Sequence, residues 1–263
     1  MRNKMQIFIP TYGRSAQQHT FRNLPKSLQK KTTLVVQKRE AHLYDNYPIL
    51  VLPASIQTIS PARQYIMKVA ETFGHKKVVM LDDDLRFDWR RMDDGGKFLV
   101  ATDKQVEDLF KTIEKKLDKY AHVGVLSREG GNRILTETVE CTRMMRVLAY
   151  CVETYHKEKI KFDRLPLQED FDVTLQLLKK GYPNLVLCGW VNGQGSSGAK
   201  GGCSHFRTIE LHNENAKKLA EFHAPFVKVV EKQTKGAWGG KARLDVMVQW
   251  KKAYESSKKN ARK

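Results

Sequence analysis

The chain has no apolar run long enough to cross a bilayer, and its opening, Met1-Arg2-Asn3-Lys4, carries no apolar signal region. The expectation is a cytoplasmic protein of a bacterial or phage-infected cell, with no membrane partner. Cysteine is scarce. The four residues Cys141, Cys151, Cys188 and Cys203 lack the paired spacing of a zinc site, which argues for reduced thiols and against a structural metal. Acids are the third shortage: 29 Asp and Glu face 47 Lys and Arg, leaving a formal net charge of +18. Such a field attracts polyanions, nucleic acid or anionic lipid. The lysines of the 251–263 tail add to it, but Lys and Arg are spread along the whole chain, and nucleic acid is the expected partner. There is no internal repeat and no clear linker. With 41% apolar residues over 263 positions, the chain is not disordered and can bury a full core.

Against that shortage of acids, one stretch stands out. Val78-Val79-Met80-Leu81 runs straight into Asp82-Asp83-Asp84. A short continuous apolar run predicts a strand buried on both faces. Three adjacent carboxylates repel one another, and a hard divalent cation, Mg²⁺ or Mn²⁺, would relieve that repulsion and bridge to substrate phosphates. Ligands of open α/β sheets bind outside the carboxyl ends of strands. The plainer alternative is a solvated acidic turn that caps a helix.

The rest of the chain supplies a frame for that strand. Residues 5–9, 32–36 and 49–52 are further short apolar strands with helical segments between them, the pattern of βα units and a mainly parallel sheet. The first strand ends in Pro10-Thr11-Tyr12-Gly13-Arg14, a turn offering a hydroxyl, an aromatic ring and a fixed cation; the second ends at Gln37. A basic helical region is expected over about 15–30. Ser60 and Pro61 suit a helix start, with Arg63 in the first turn where free N–H groups favour anions. Arg86 to Lys97 is expected to be a loop over the site. Thr102 to Gln105 forms a capping box ahead of an amphipathic scaffold helix. Arg128 to Arg133 is a basic turn. Gln168-Glu169-Asp170-Phe171-Asp172 opens another helix, where acids could do no more than complement the helix dipole. After a strand at 184–190 comes a glycine-rich stretch, Asn192 to His205, expected to be a lid that exposes backbone amides and carries Lys200. Lys235 to Lys241, with Trp238 at its centre, can stack a base and hold a phosphate backbone, or be an ordinary turn.

In their order these motifs resemble the GT-A glycosyltransferases, especially the family-2-like branch. Residues 10–14 look like that fold's nucleotide turn, Ser60-Pro61-Ala62-Arg63-Gln64 is similar to the helix start preceding the metal motif, Asp82-Asp83-Asp84 matches Asp-x-Asp, and Glu169-Asp170 matches the Glu-Asp motif. His205 stands where the family often places a late metal ligand. The tract Gln168 to Tyr182 further resembles the phage-type TET-associated glycosyltransferases, which glycosylate hydroxymethylated pyrimidines in DNA. The resemblance implies a Rossmann-like, mixed and mainly parallel sheet flanked by helices. It implies a core over residues 1–206, with 207–263 as a helical, basic extension packed on it. It also implies Mn²⁺ or Mg²⁺ at Asp82, Asp84 and His205, and a nucleotide-sugar, UDP-sugar in the first instance, against Pro10, Thr11, Tyr12, Arg14, Gln37, Arg63 and Asp83. Asp170 or Glu169 would be the catalytic base. Arg128, Arg133, Lys200, Trp238 and Lys241 would meet duplex DNA carrying the modified base. Two departures stand: the usual acidic base-reader is Gln37 here, and adjacent acids leave the choice between Glu169 and Asp170 open. The rival readings are a transferase acting on a cell-surface glycan, a HAD-type phosphatase, whose acidic motif normally lies much nearer the N-terminus, and a non-catalytic nucleic-acid-binding protein.

Overall fold

The structure is a computed structural model that describes residues 5–91, 95–131, 134–194, 207–233 and 242–260. In chain order Gln6–Pro10 is β1, His19–Asn23 α1, Lys26–Gln29 α2, Thr32–Gln37 β2, Ile49–Leu52 β3, Ile59–Thr72 α3 and Lys77–Leu81 β4. Leu85–Arg91 is β5, Lys97–Val100 β6, Asp103–Lys116 α4, His122–Ser127 β7, Arg128–Gly131 α5, Thr138–Glu140 β8 and Val147–Cys151 β9. Val152–Lys157 is α6, Glu169–Lys179 α7, Asn184–Gln194 β10, Ile209–Phe222 α8, Val227–Gln233 β11, Ala242–Val248 β12 and Trp250–Asn260 α9.

Among the described residues, ten strands form one sheet in the order β3-β2-β1-β4-β9-β7-β10-β5-β6, with β8 added on β10. β1, β2, β3, β4, β6, β7 and β10 point one way; β5, β8 and β9 run against them. The sheet is therefore mixed and mainly parallel, as the motif order implied. Its continuous apolar runs are explained by burial on both faces. In β4, Val79 and Leu81 enter one core layer with Ile7, Ile9 and the α4 residues Leu109, Phe110 and Ile113, whereas Val78 and Met80 enter the other with Phe8, Ile66, Met67 and Tyr150. Each such side chain contributes about 1.5–3 kcal/mol relative to exposure. The Thr102 capping box forms as expected, and α4 is scaffold.

Three local expectations are corrected. The helical region at 15–30 is split into α1 and α2, because Pro25 cannot continue a helix begun before it. Helix α3 begins one residue before Ser60, with Thr58 as N-cap, so Ser60 and Pro61 lie inside the first turn. The expected loop over 86–97 is largely strand: β5 pairs antiparallel with β10 and with β6, burying Leu85, Phe87 and Asp88 while Arg86 and Arg91 face outward. The mixture of Arg and Trp concealed that alternation.

The segment after residue 206 holds a helix where one was expected, α8, and a further helix, α9, but it is not wholly helical: the apolar piece near 244–248 is strand β12, paired with β11 in a hairpin between them. Leu219, Val227 and Ala253 from this segment share a third apolar cluster with Leu165, Leu175 and Leu178, so the extension packs directly on α7. A buried polar contact reinforces it: His223 Nε2 meets Asp172 Oδ1 at 2.6 Å.

Candidate functional site

The parallel strands β1, β2 and β4 all release their chains at one end of the sheet. Their hydrogen-bonded register carries Pro10 next to Val35, two residues short of the β2 terminus at Gln37. Thr11, Gln37 and the Asp82–Asp84 turn thus meet without any long-range device beyond strand pairing.

The acidic turn is held from three sides. Helix α1 staples its backbone: Thr20 Oγ1 donates to Asp82 O at 2.6 Å and accepts from Leu85 N at 2.7 Å, Thr20 N donates to Asp83 O at 3.1 Å, and Asn23 Nδ2 donates to Leu85 O at 2.8 Å. Across the sheet, Asp82 N donates to Arg146 O at 3.0 Å, where Arg146 adopts a positive φ of 66°. From β10, Gln194 Nε2 donates to Asp84 Oδ1 at 3.0 Å.

Two arginines then divide the carboxylates between them. Arg14 contacts Asp83 Oδ1 and lies 3.1 Å from Asp84 Oδ2, while Thr11 Oγ1 donates to Asp83 Oδ2 at 2.7 Å. Arg63, 4% exposed, donates Nη1 to Glu169 Oε1 at 2.5 Å and Nη2 to Asp82 Oδ1 at 2.7 Å. Arg63 and Glu169 are 106 residues apart in the chain, and this one guanidinium locks the Asp82–Asp84 turn to the Glu169–Asp170 motif. Burial pushes Glu169 up to about 7 despite the opposing charge of Arg63. Burial also pushes Asp82 up to about 6; Arg63 opposes the shift, and Asp84 and Asp83 add to it. Asp83 is raised by burial as well, against Arg14 and Thr11.

Four carboxylates thus face two guanidiniums, a shortage of positive charge that suits a divalent cation. Asp82 and Asp84 keep 29% and 22% of their side-chain surface exposed, against 6% for Asp83. Their donor atoms are hard oxygens, the set Mg²⁺ and Mn²⁺ take, with remaining positions filled by water or substrate. Among the described residues no group of three or more His, Cys, Asp or Glu forms a ready-made cage. A cation here would rest on these two carboxylates and on ligands from outside that set.

Asp170, half-buried at the start of α7, accepts from Phe171 N at 3.0 Å through Oδ1. Ahead of it Gln168 sits in the left-handed region (φ 59°, ψ 26°), and its Oε1 is buried with no hydrogen-bond partner among the described residues. Gln37, 7% exposed, donates Nε2 to Gln57 O at 2.7 Å, which fixes its amide with Oε1 unpartnered among the described residues. Tyr12 lies beside the turn with its ring under Arg39, 4.8 Å from the guanidinium carbon, and its hydroxyl accepts from Arg39 at 2.6 Å. Arg128 stands on the β7–α5 junction and contacts the buried Asp88 of β5. Arg133, Lys200, His205, Trp238 and Lys241 lie outside the described residues, as does the expected lid beyond Gln194.

Strand order and acid clustering do not single out Gln194, Thr20, Asn23, Arg146 or Gln168. Gln194 reads as the start of a glycine-rich stretch but is the last residue of β10. The others act through backbone contacts or an unusual φ, which leave no pattern in the sequence.

This arrangement has known counterparts. The family model of the TET-associated glycosyltransferases matches residues 5–201. The chain belongs to that family. It is a glycosyltransferase with a GT-A-type fold. Two curated relatives are the β-glucosyl-HMC-α-glucosyltransferases of Enterobacteria phages T6 and T2. They are 24% identical over 234 residues and 23% over 233, and each alignment covers 82% of this chain and 80% of the relative. Among solved structures, a mannosyltransferase from Pyrobaculum calidifontis, determined with GDP-Man and Mn²⁺, superposes with a TM-score of 0.54 at 12% identity. That match spans 84% of this chain and 65% of the other, and it is a likeness of fold. Among the described residues no helix is long and apolar enough to cross a membrane. The phosphatase and non-catalytic readings fall with the family match.

Proposed function

We propose that this glycosyltransferase moves a sugar from a nucleotide-sugar to a hydroxyl carried on a modified pyrimidine in phage DNA. The observation that carries the reading is the pairing of the Asp82–Asp84 turn with Glu169 through Arg63, which brings a diphosphate-binding end and an acid–base end within one side chain of each other. The names of the phage relatives, which join glucosyl transfer to HMC, support the DNA acceptor, as does the +18 charge.

In this reading Asp82 and Asp84, with His205 as a further candidate ligand, hold the divalent ion, Mn²⁺ or Mg²⁺. Bound there, the ion would neutralise charge on the diphosphate leaving group. Thr11 and Asp83 fix Arg14 at the mouth of the nucleotide turn. Gln37 occupies the position of the family's base-reader, with its amide nitrogen committed to Gln57 and its Oε1 buried, so a base reaching it would have to turn that amide. The donor base is therefore left to a panel of nucleotide-sugars, with a UDP-sugar first.

Glu169 and Asp170 separate in role. Glu169 is buried and tied to Arg63, which leaves it as a positioning group. Asp170, more accessible, accepts the proton of the acceptor hydroxyl as that oxygen attacks the sugar carbon. Direct attack would invert configuration there. A target base in duplex has to leave the stack to reach this pocket.

The test is to incubate the protein with Mn²⁺, a panel of nucleotide-sugars, and DNA carrying plain, hydroxymethylated or already glucosylated hydroxymethylpyrimidine. The nucleosides are then weighed by mass spectrometry. A hexose increment on a modified base is expected. Transfer only to a glycan acceptor, with none of these DNAs altered, would overturn the DNA reading.

A further inference from the structure

Asp88 of β5 is 1% exposed, yet it carries no role in the site described above. Its Oδ2 is shared by two arginines. Arg128, from α5, contacts it directly, and Arg86 Nε lies 3.7 Å away. Its Oδ1 has no hydrogen-bond partner among the described residues. Both arginines remain open to solvent, with 54% of the Arg86 side chain and 41% of the Arg128 side chain exposed. One buried carboxylate thus anchors two cations whose outer edges face water, an excess of positive charge with fixed stems.

The pair is placed next to the acidic turn, on the side away from the nucleotide-binding strands. Arg86 follows Asp84 by two residues and pairs in register with Gly193 of β10; the next residue, Gln194, is the one that donates to Asp84. Gly193 forms the floor beneath both arginines. A Cβ there would sit 3.4 Å from Arg86 Nε and 3.7 Å from Arg128 Cδ, in ordinary contact with both stems, which places the two arginines over the same residue. In the sheet, β10 and β5 lie on the far side of β4 from β1 and β2, with β9 and β7 between. Donor groups come from β1 and β2, and the arginine pair stands on the opposite side of the acidic turn from them.

We infer that Arg86 and Arg128, held by Asp88, bind a phosphodiester of the acceptor strand beside the base being modified. This rests on the DNA-acceptor reading above and adds the contact that positions the strand. Guanidinium forks match phosphate oxygens in a way a point charge does not, and a phosphate contact sets register without reading sequence. The shared chemistry is a phosphate monoanion, which the diphosphate of the donor could also supply; position across the sheet favours the strand.

Three variants test it: Arg86→Ala, Arg128→Lys, and the triple Arg86→Gln, Arg128→Gln, Asp88→Asn. The triple change also removes the buried carboxylate that the arginine losses would strand. Arg86→Ala leaves the closer Arg128–Asp88 pair intact, so its fold is preserved even if the triple variant is unstable. The readouts are KM for modified DNA, KM for the nucleotide-sugar, and the salt dependence of DNA binding. The expected result is a rise of about tenfold in the DNA KM for Arg86→Ala, with the donor KM within twofold. The log–log salt slope should become shallower by about one for the triple variant, which loses the single neutralised phosphate, and by less than that for Arg86→Ala, which keeps Arg128 on it. Arg128→Lys should keep most of the slope and lose affinity. A neutral methylphosphonate at the flanking position should weaken the native protein and leave the triple variant unaffected. A higher donor KM with unchanged DNA KM would assign the pair to the diphosphate and overturn the inference; unchanged values of both would overturn it too. If the native protein modified no DNA at all, the underlying reading would fail first, and visibly so, before any variant was compared.

Discussion

Replacing Arg63 by Met removes the one cation that both motifs share, in a side chain of similar length. Its cost depends on pH, and the structure sets the sign. A carboxyl whose folded pKa lies above its unfolded value favours the fold most below the unfolded value, and the contribution is lost as pH rises to the folded one. For Glu169 that window runs from 4.5 to about 7 in the native protein. Without Arg63 the carboxyl stays neutral to higher pH, and the loss continues past 7. Each pKa unit by which losing Arg63 raises the Glu169 titration further adds on the order of 1 kcal/mol to the destabilisation at pH 8. Asp82 shifts in the same direction, from 3.8 to about 6, and adds to the effect, though 29% exposure of its side chain screens its share. The pH-dependent part is thus on the order of a few kcal/mol at pH 8 and near zero at pH 5, of the same order as the ~3–5 kcal/mol usual for breaking a buried pair. Urea unfolding of both proteins at pH 5 and pH 8 measures it. A destabilisation equal at the two pH values would refute the reasoning, as would one that shrinks at pH 8.

Other outcomes follow from single contacts. Gln168→Gly should stabilise the protein by about 0.5–1 kcal/mol, since glycine carries no left-handed penalty of ~1–2 kcal/mol and gives back only part of that gain as unfolded-state entropy; a melt showing a loss above about 1 kcal/mol would contradict it. His223→Leu should cost about 1–3 kcal/mol by stranding Asp172 Oδ1, which is fully buried, even though Gln176 still donates to Oδ2 at 2.9 Å; a change under about 0.5 kcal/mol in urea would show that the extension does not depend on this contact.

The sequence made much of the fold legible because the fold rests on strong periodic signals. Val78–Leu81 could only be a strand buried on both faces, and Thr102 with Gln105 could only start a helix. The acid clusters were legible for a related reason: in a chain poor in acids, three in a row ending an apolar strand need an explanation. What sequence could not show was pairing. Arg63 looked like a first-turn cation facing an anion; folding commits it to Asp82 and Glu169 instead. Strand β5 was hidden because its inward positions include Asp88 and Arg90, charged residues whose burial depends on partners that only the fold supplies, Arg128 for Asp88 and the Gly96 carbonyl for Arg90. The difference between Glu169 and Asp170 is likewise one of burial, which two adjacent acids at a helix start do not reveal.

The central claim is that Asp170 takes the acceptor proton while Glu169 is held by Arg63. Transfer to hydroxymethylpyrimidine DNA by the native protein and by Asp170→Asn, with DNA affinity measured alongside, tests it most directly. The account predicts a hexose mass increment for the native protein, a rate lower by about 10²–10⁴ for Asp170→Asn, and equal DNA affinity. Transfer by Asp170→Asn at the native rate would contradict it.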